Sequence, residues 1–497
     1  MATAFDSQKY MELQTKYIRE RIERFDNKLY LEFGGKLFDD FHAARVLPGF
    51  DANAKIKLLM ELKDVTEIIF AISAPAIEYN KMRADMGITY DMDVLRLIKS
   101  ISALGLSINS VVITQYSDQP SATLFHNKLV SRGIKTYFHR LTKGYPTEVD
   151  TILSDEGYGA NPYIETNCPL VVVTAPGPGS GKLSTCLSQI YHESKRGISA
   201  GYAKFETFPI WNLPLKHPVN LAYEAATADL RDVNMIDPYH LEKYGITTVN
   251  YNRDIEAFPV VKTVLNRVLG EDVYHSPTDM GVNMAGYAIA DDEAVRSAAS
   301  QEIIRRYFKA CCDARQGLID GDIPERIELI MQQLGLREED RPVVAAARDK
   351  QAQRQVPAIA FQLPDGQITT GRASFLMSAP ASGVINAIKA LAGISDHILL
   401  LPLVILEPIM KMKHDILHVR DSSLTLEDVL IALSLCEATN PTVSMAVEQL
   451  ANLRGCEAHC SVMMEPNDEA MLRRLGVNVT CDPVYAEKAI YQETPSS

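Results

Sequence analysis

Between Asn27 and about Gly270, short blocks of consecutive apolar residues alternate with stretches in which apolar positions recur every three or four residues. Blocks of the first kind suit strands buried on both faces. Stretches of the second kind suit helices packed against them, and their alternation predicts a mostly parallel α/β sheet. Strands are expected at 29–33, 67–73, 110–115, 135–139, 151–154 and 170–174, with helices at 91–104, 122–131 and 182–193.

From residue 291 to about 355 the strand blocks vanish and helical spacing takes over, at 293–314 and 325–334 and then through the charged stretch 337–354. A hairpin pattern follows, 358–363 and 368–370 about Pro364-Asp365-Gly366-Gln367, and opens a second α/β block. The expected organisation is therefore multidomain α/β. Residues 1–290 form a mostly parallel N-terminal sheet region, 291–355 a helical middle module, and 356–497 a smaller C-terminal α/β domain.

Composition narrows the function classes. Of 497 residues, 46% are hydrophobic and 23% charged, which is the balance of a globular chain. The net charge of -13 argues against a broad nucleic-acid-binding face, because phosphate backbones are held by clustered Lys and Arg. The longest apolar run, 398–406, is interrupted by Pro402 and falls far short of the ~20 residues of a membrane helix. Residues 1–25 are polar and helical rather than signal-like, so a soluble cytoplasmic protein is expected. Eight scattered cysteines fit a reducing compartment. Cys456-Glu-Ala-His459-Cys460 lacks zinc-site spacing and reads as a strand, and His414 and His418 have protease-like spacing but with Asp415 in place of the required Glu.

The strongest chemical signal is Thr174-Ala175-Pro176-Gly177-Pro178-Gly179-Ser180-Gly181-Lys182, where an apolar strand runs through a glycine-rich turn into a helix. Unpaired main-chain N–H groups at a helix start, with the positive end of the helix dipole behind them, attract an anion, and Lys182 adds a full charge. The P-loop pattern is only half met. Pro176 stands at the first glycine position and Leu183 at the Mg²⁺ hydroxyl position, so Ser180, Ser184 or Thr185 would have to supply that ligand. Leu183, Leu187 and Ile190 share the spacing of a buried helix face. Gly177, Gly179, Ser180, Gly181 and Lys182 are the expected phosphate binders. An anion loop, a nucleotide P-loop and a ligand-free tight turn all remain open readings.

Other residues extend this picture. Leu31-Glu32-Phe33-Gly34-Gly35-Lys36 repeats the theme of strand, glycines and lysine, and Lys36 would meet a second phosphate. Asp155 and Glu156 follow the expected strand 151–154, from which carboxylates place a metal or a water. The stiff segments 211–220 and 276–283 would wall a substrate, offering Trp211, Asn212, Asn220, Thr278, Asp279 and Asn283. Ser378-Ala379-Pro380 with Ser382-Gly383 echoes the glycine loop weakly, as a helix cap or a second anion site.

The runs 31–40, 174–182 and 202–214 together resemble a bacterial family of uncharacterised cytosolic proteins of about this length, known only as a domain of unknown function. The resemblance covers nearly the whole chain and implies a multidomain α/β fold with a helical part. It supplies no activity. The expectation from the residues is an enzyme acting on a phosphorylated small molecule or a nucleotide with Mg²⁺, with Lys182, Asp155 and Glu156 as its catalytic groups. One alternative is a non-catalytic nucleotide or metabolite sensor that self-associates through its helical region into a homo-oligomer. Another is a hydrolase or transferase that uses the loop only to anchor a phosphate. Neither nucleic acid nor a membrane is an expected partner.

Overall fold

A computed structural model describes residues 3–83, 87–419 and 422–486. The chain divides into two compact units, 1–299 and 300–497.

The first unit is built on seven parallel strands: β1 (Leu29–Phe33), β2 (Thr66–Ser73), β3 (Ser107–Thr114), β4 (Thr136–Phe138), β5 (Leu170–Thr174), β6 (Gly201–Phe205) and β7 (Gly281–Val282). Their spatial order is β7-β6-β1-β5-β2-β3-β4. Every residue of β1, β2 and β5 is buried, which explains why these strands read as unbroken apolar blocks. Helix α1 (Ser7–Arg24) is capped by Asp6, which accepts from the Lys9 N–H. Between strands the chain forms α2 (Tyr90–Ala103), α3 (Pro120–Val130), α4 (Lys182–Lys195) and α5 (Asn252–Leu269).

Two strand expectations change. Residues 151–154 are not a strand: Val149–Ile152 is a helical turn with only Ile152 buried. A four-residue apolar run does not separate strand from helix by itself, and here one buried side chain anchors a surface turn. The sheet also gains β6 and β7, whose sequences hide the pattern. In β6 the apolar run is broken by Lys204, and β7 is only two residues long.

Residues 291–355 are largely helical, with α6 (Asp292–Arg315), α7 (Asp322–Leu334) and α8 (Pro342–Ala352). The second unit's sheet is mixed, in the order β9-β8-β10-β11, from β8 (Ala358–Gln362), β9 (Ile368–Arg372), β10 (Glu457–Cys460) and β11 (Asn478–Cys481). The expected hairpin is β8 with β9, antiparallel, and Glu457–Cys460 of the segment read as a strand is β10. On one face Val343 and Ala347 of α8 pack on Ala360, and on the other α9 (Ala379–Leu391) packs Val384 and Ile388 against Ile359 and Phe361. The echo of the glycine loop serves this packing. Ser378 caps α9 by accepting from Ala381 N–H, and Gly383 lets the helix lie directly on Ile359 and Phe361. The chain is thus α/β throughout, with a large parallel sheet and a smaller mixed one. Among the described residues no helix is long and apolar enough to cross a membrane.

Candidate functional site

In an open parallel sheet, ligand sites form beyond the carboxyl ends of the strands. The glycine-rich segment lies there, leaving the central strand β5 at Thr174 and entering α4 at Lys182. Gly179 and Gly181 have positive φ, 72° and 80°, a left-handed backbone that glycine adopts without penalty. Gly181 is required twice over, because a Cβ there would sit 2.7 Å from Thr114 Oγ1 at the end of β3. A Cβ at Gly177 would run into the Tyr90 ring at the start of α2.

Side chains fix the loop by binding its carbonyls. Thr114 Oγ1 donates to Ser180 O at 2.8 Å, Ser180 Oγ to Gly177 O at 2.7 Å, and Thr185 Oγ1 to Gly181 O at 2.9 Å. The donors of the loop are left over. Among the described residues, the N–H groups of Gly177, Gly179, Gly181 and Lys182 reach no acceptor in the protein. Gly179 is exposed, so this row of donors opens to solvent at the positive end of α4.

Beside the loop, β1 and β6 place charges on one face of the sheet. Their register pairs Tyr30 with Tyr202 and Glu32 with Lys204, so these four side chains project together. Lys182 Nζ lies 3.9 Å from Glu32 Oε1, and Tyr202 OH donates to Glu32 Oε2 at 2.9 Å. Lys204 Nζ stands 2.7 Å from Glu206 Oε1 and 2.7 Å from both carboxylate oxygens of Asp254 on α5. Burial pushes the Glu206 carboxyl up to about 7. Asp254 and Glu32 push it the same way, and Lys204 opposes them. Burial works against the charge on Lys204, but Asp254, Glu206 and Glu32 outweigh it and keep the ammonium protonated. Glu206 is therefore a group that exchanges a proton near neutral pH inside a largely buried site.

A cleft adjoins this cluster, and Leu183, Tyr202, Lys204, Glu206, Asp254, Trp211 and Gly281 are among the residues that line it. Leu183 was expected in the buried face of α4. Leu187 and Ile190 are buried there, while Leu183 is only half-buried and turns toward the cleft.

The expected site residues separate. Gly177, Gly179, Ser180, Gly181, Lys182 and Trp211 come together around the loop and the cleft. The Trp211 ring rests on Gly281, where a Cβ would lie 2.6 Å from it. Other members of the expected wall are occupied in holding it. Asn220 exchanges two bonds with the Ile210 main chain, Asn283 Nδ2 donates to Thr207 O and Pro209 O, and Asn212 abuts Gly286. Thr278 Oγ1 donates to Asp237 at 2.7 Å, and Asp279 accepts from His275 N–H and Tyr244 OH. Lys36 is exposed beyond β1. Asp155 and Glu156 follow a helical turn rather than a strand and are exposed, with Glu156 paired to Lys143. Ser184 Oγ approaches Thr142 Oγ1 at 3.5 Å, so with Ser180 and Thr185 all three hydroxyls offered for Mg²⁺ face protein atoms. Among the described residues no group of three or more His, Cys, Asp or Glu has metal-site geometry.

Glu32, Lys204, Glu206 and Asp254 belong to no contiguous motif that would give them a role from sequence. A usable signal is present in the alternation Tyr202-Lys204-Glu206, polar tips at every second position through β6 and the residue after it, with Gly201, Ala203 and Phe205 between.

Comparison with known proteins gives a family and no activity. The domain of unknown function DUF1846 matches in two parts, its N-terminal part over residues 3–335 and its C-terminal part over 339–491. Two proteins from Clostridium botulinum strains, Alaska E43 and Eklund 17B, each named UPF0371 protein, are 57% identical to this chain over 500 residues and 99% of both lengths. A UPF0371 protein of Clostridium tetani is 56% identical over the same share.

Proposed function

The chain belongs to the bacterial DUF1846 family, whose description carries no activity, and from its geometry we propose that it binds a phosphorylated small molecule at Gly177–Lys182. One observation carries the reading: a row of main-chain donors is left without protein acceptors at the carboxyl end of the central strand, while the hydroxyls of Thr114, Ser180 and Thr185 are spent on carbonyls of the loop. An anion satisfies those donors, and Lys182 complements its charge. With Leu183 at the hydroxyl position and Ser180, Ser184 and Thr185 engaged, the loop offers no seat of its own for Mg²⁺. This favours a phosphorylated metabolite over a Mg²⁺-nucleotide.

Glu206 makes the site suited to chemistry as well as capture. A carboxyl that titrates near neutrality, beside a fixed ammonium and next to the phosphate seat, serves as a general base or acid. Lys182 and Lys204 would stabilise negative charge as it develops on the substrate. Asp155 and Glu156 take no part in this reading.

Thermal melts of the full chain test it, run with inorganic phosphate, phosphorylated metabolites and ATP, each with and without Mg²⁺. A ligand at 100 times its Kd adds about 2.7 kcal/mol of stability. Phosphorylated metabolites are expected to raise the melting temperature without Mg²⁺, and Lys182→Ala is expected to remove most of the shift. Turnover of the ligand identified in this way separates an enzyme from a sensor. A melting curve that no phosphate compound moves would defeat the proposal.

A further inference from the structure

The cleft beside the loop belongs to the same site and has a chemistry of its own. Its lining includes Leu183, one residue after Lys182, so a ligand whose phosphate sits on the loop has its remainder among Tyr202, Lys204, Glu206 and Trp211, which line the same cleft. The Lys182–Glu32–Tyr202 chain of contacts joins the two regions without a gap. At the cleft the charged atoms are two carboxylates and one ammonium, while the Asn250 amide donates to Asp237 and Thr278 and the Tyr202 hydroxyl to Glu32. Glu206 gives Lys204 one carboxylate oxygen, and Asp254 gives it both, yet an ionised carboxylate offers about four lone-pair sites, so each retains acceptor capacity.

We propose that this cleft takes the polyhydroxylated part of a sugar phosphate, with the ring's C–H face against Trp211 and its hydroxyls donating to Glu206 and Asp254. The inference rests on the reading of Gly177–Lys182 as the phosphate seat. Carboxylates suit hydroxyl groups, which donate one proton each in adjustable directions. A nucleobase edge instead needs fixed alternating donors and acceptors, whereas the Asn250 amide protons and the Tyr202 hydroxyl proton are already given to Asp237, Thr278 and Glu32. A half-buried indole in the lining of the cleft supplies the apolar surface that a sugar ring's carbon face covers. Asp254 is itself held by Lys204, so it meets the ligand in a fixed position.

Trp211 is the only tryptophan in the chain, so its emission reports on this cleft alone. The full-length protein is titrated with inorganic phosphate, glucose 6-phosphate, glucose and AMP, following emission and melting temperature together. Glucose 6-phosphate is expected to bind about 10-fold or more tighter than inorganic phosphate, the gain of one or two charge-assisted hydrogen bonds, and to shift the emission. Inorganic phosphate is expected to raise the melting temperature with the emission unmoved. Glu206→Gln should narrow the ratio of the two affinities, and Asp254→Asn provides the same reading if the first variant does not fold. Equal affinities with silent emission would overturn the sugar subsite while leaving the phosphate seat standing, and so would an emission shift with AMP alone. Failure of all four compounds to bind would overturn the phosphate reading itself.

Discussion

At the scale of single residues, Gly181 and Glu206 make the sharpest demands. Gly181 combines a left-handed backbone with a methyl position 2.7 Å from Thr114 Oγ1, so Gly181→Ala pays for both strain and collision. A loss of about 1–3 kcal/mol in urea unfolding is expected. Gly179→Ala, with equal φ sign but open space around its Cβ, should lose about 1 kcal/mol. Equal losses in the two variants would show that Thr114 does not press on the loop. Glu206 sets a pH dependence. Its carboxyl titrates near 7 in the fold against an ordinary value of 4.5, so the native state holds a proton that the unfolded chain has released. Its contribution is fully present below pH 4.5 and is lost as pH rises through 7. The groups facing it are Lys204 on β6, Glu32 on β1, and Arg253 and Asp254 on α5. Glu206→Gln should therefore flatten the decline in stability between pH 4.5 and 7, by on the order of 1–3 kcal/mol. Identical pH profiles for the two proteins would contradict the shift.

At the scale of elements, buried strands were legible and mixed ones were not. β1, β2 and β5 announce themselves because each of their positions is buried, which leaves no polar interruption. β6 escaped because it carries Lys204 into the interior, where Asp254 and Glu206 neutralise it from outside the strand, a compensation that local sequence does not display. The glycine loop was legible since its signal is contiguous, whereas Glu32, Lys204, Glu206 and Asp254 are assembled from three elements by strand register. The second unit has its own hidden anchor. Arg341, just before α8, is fully buried, pairs with Glu457 and donates to Ala458 O at 2.9 Å and Asn478 O at 2.7 Å, tying the helix start to β10 and β11. Arg341→Ala removes one of the two guanidinium partners of Glu457 and one donor from each of two carbonyls, and a loss of about 1–3 kcal/mol is expected in denaturant unfolding. A change below 1 kcal/mol would mean that Arg305, which also binds Glu457, carries the carboxylate alone.

At the scale of the whole molecule, the resemblance read from three motifs extends over the full length, as identity of 57% across 99% of the chain requires. The family supplies no chemistry, so function has to be taken from charge and site. A net charge of -13 leaves local donors, not a broad positive field, to hold an anion. A labelled DNA duplex is accordingly expected to migrate unshifted with micromolar protein at physiological salt, and a salt-sensitive shift would reveal a basic face. The most direct measurement is made on the glycine amides themselves. With ¹⁵N placed only in the 27 glycines, a phosphate titration should move the resonances of Gly177, Gly179 and Gly181 and lose that effect in Lys182→Ala. Resonances of these three that stay fixed while phosphate is present in excess would contradict anion binding at the loop.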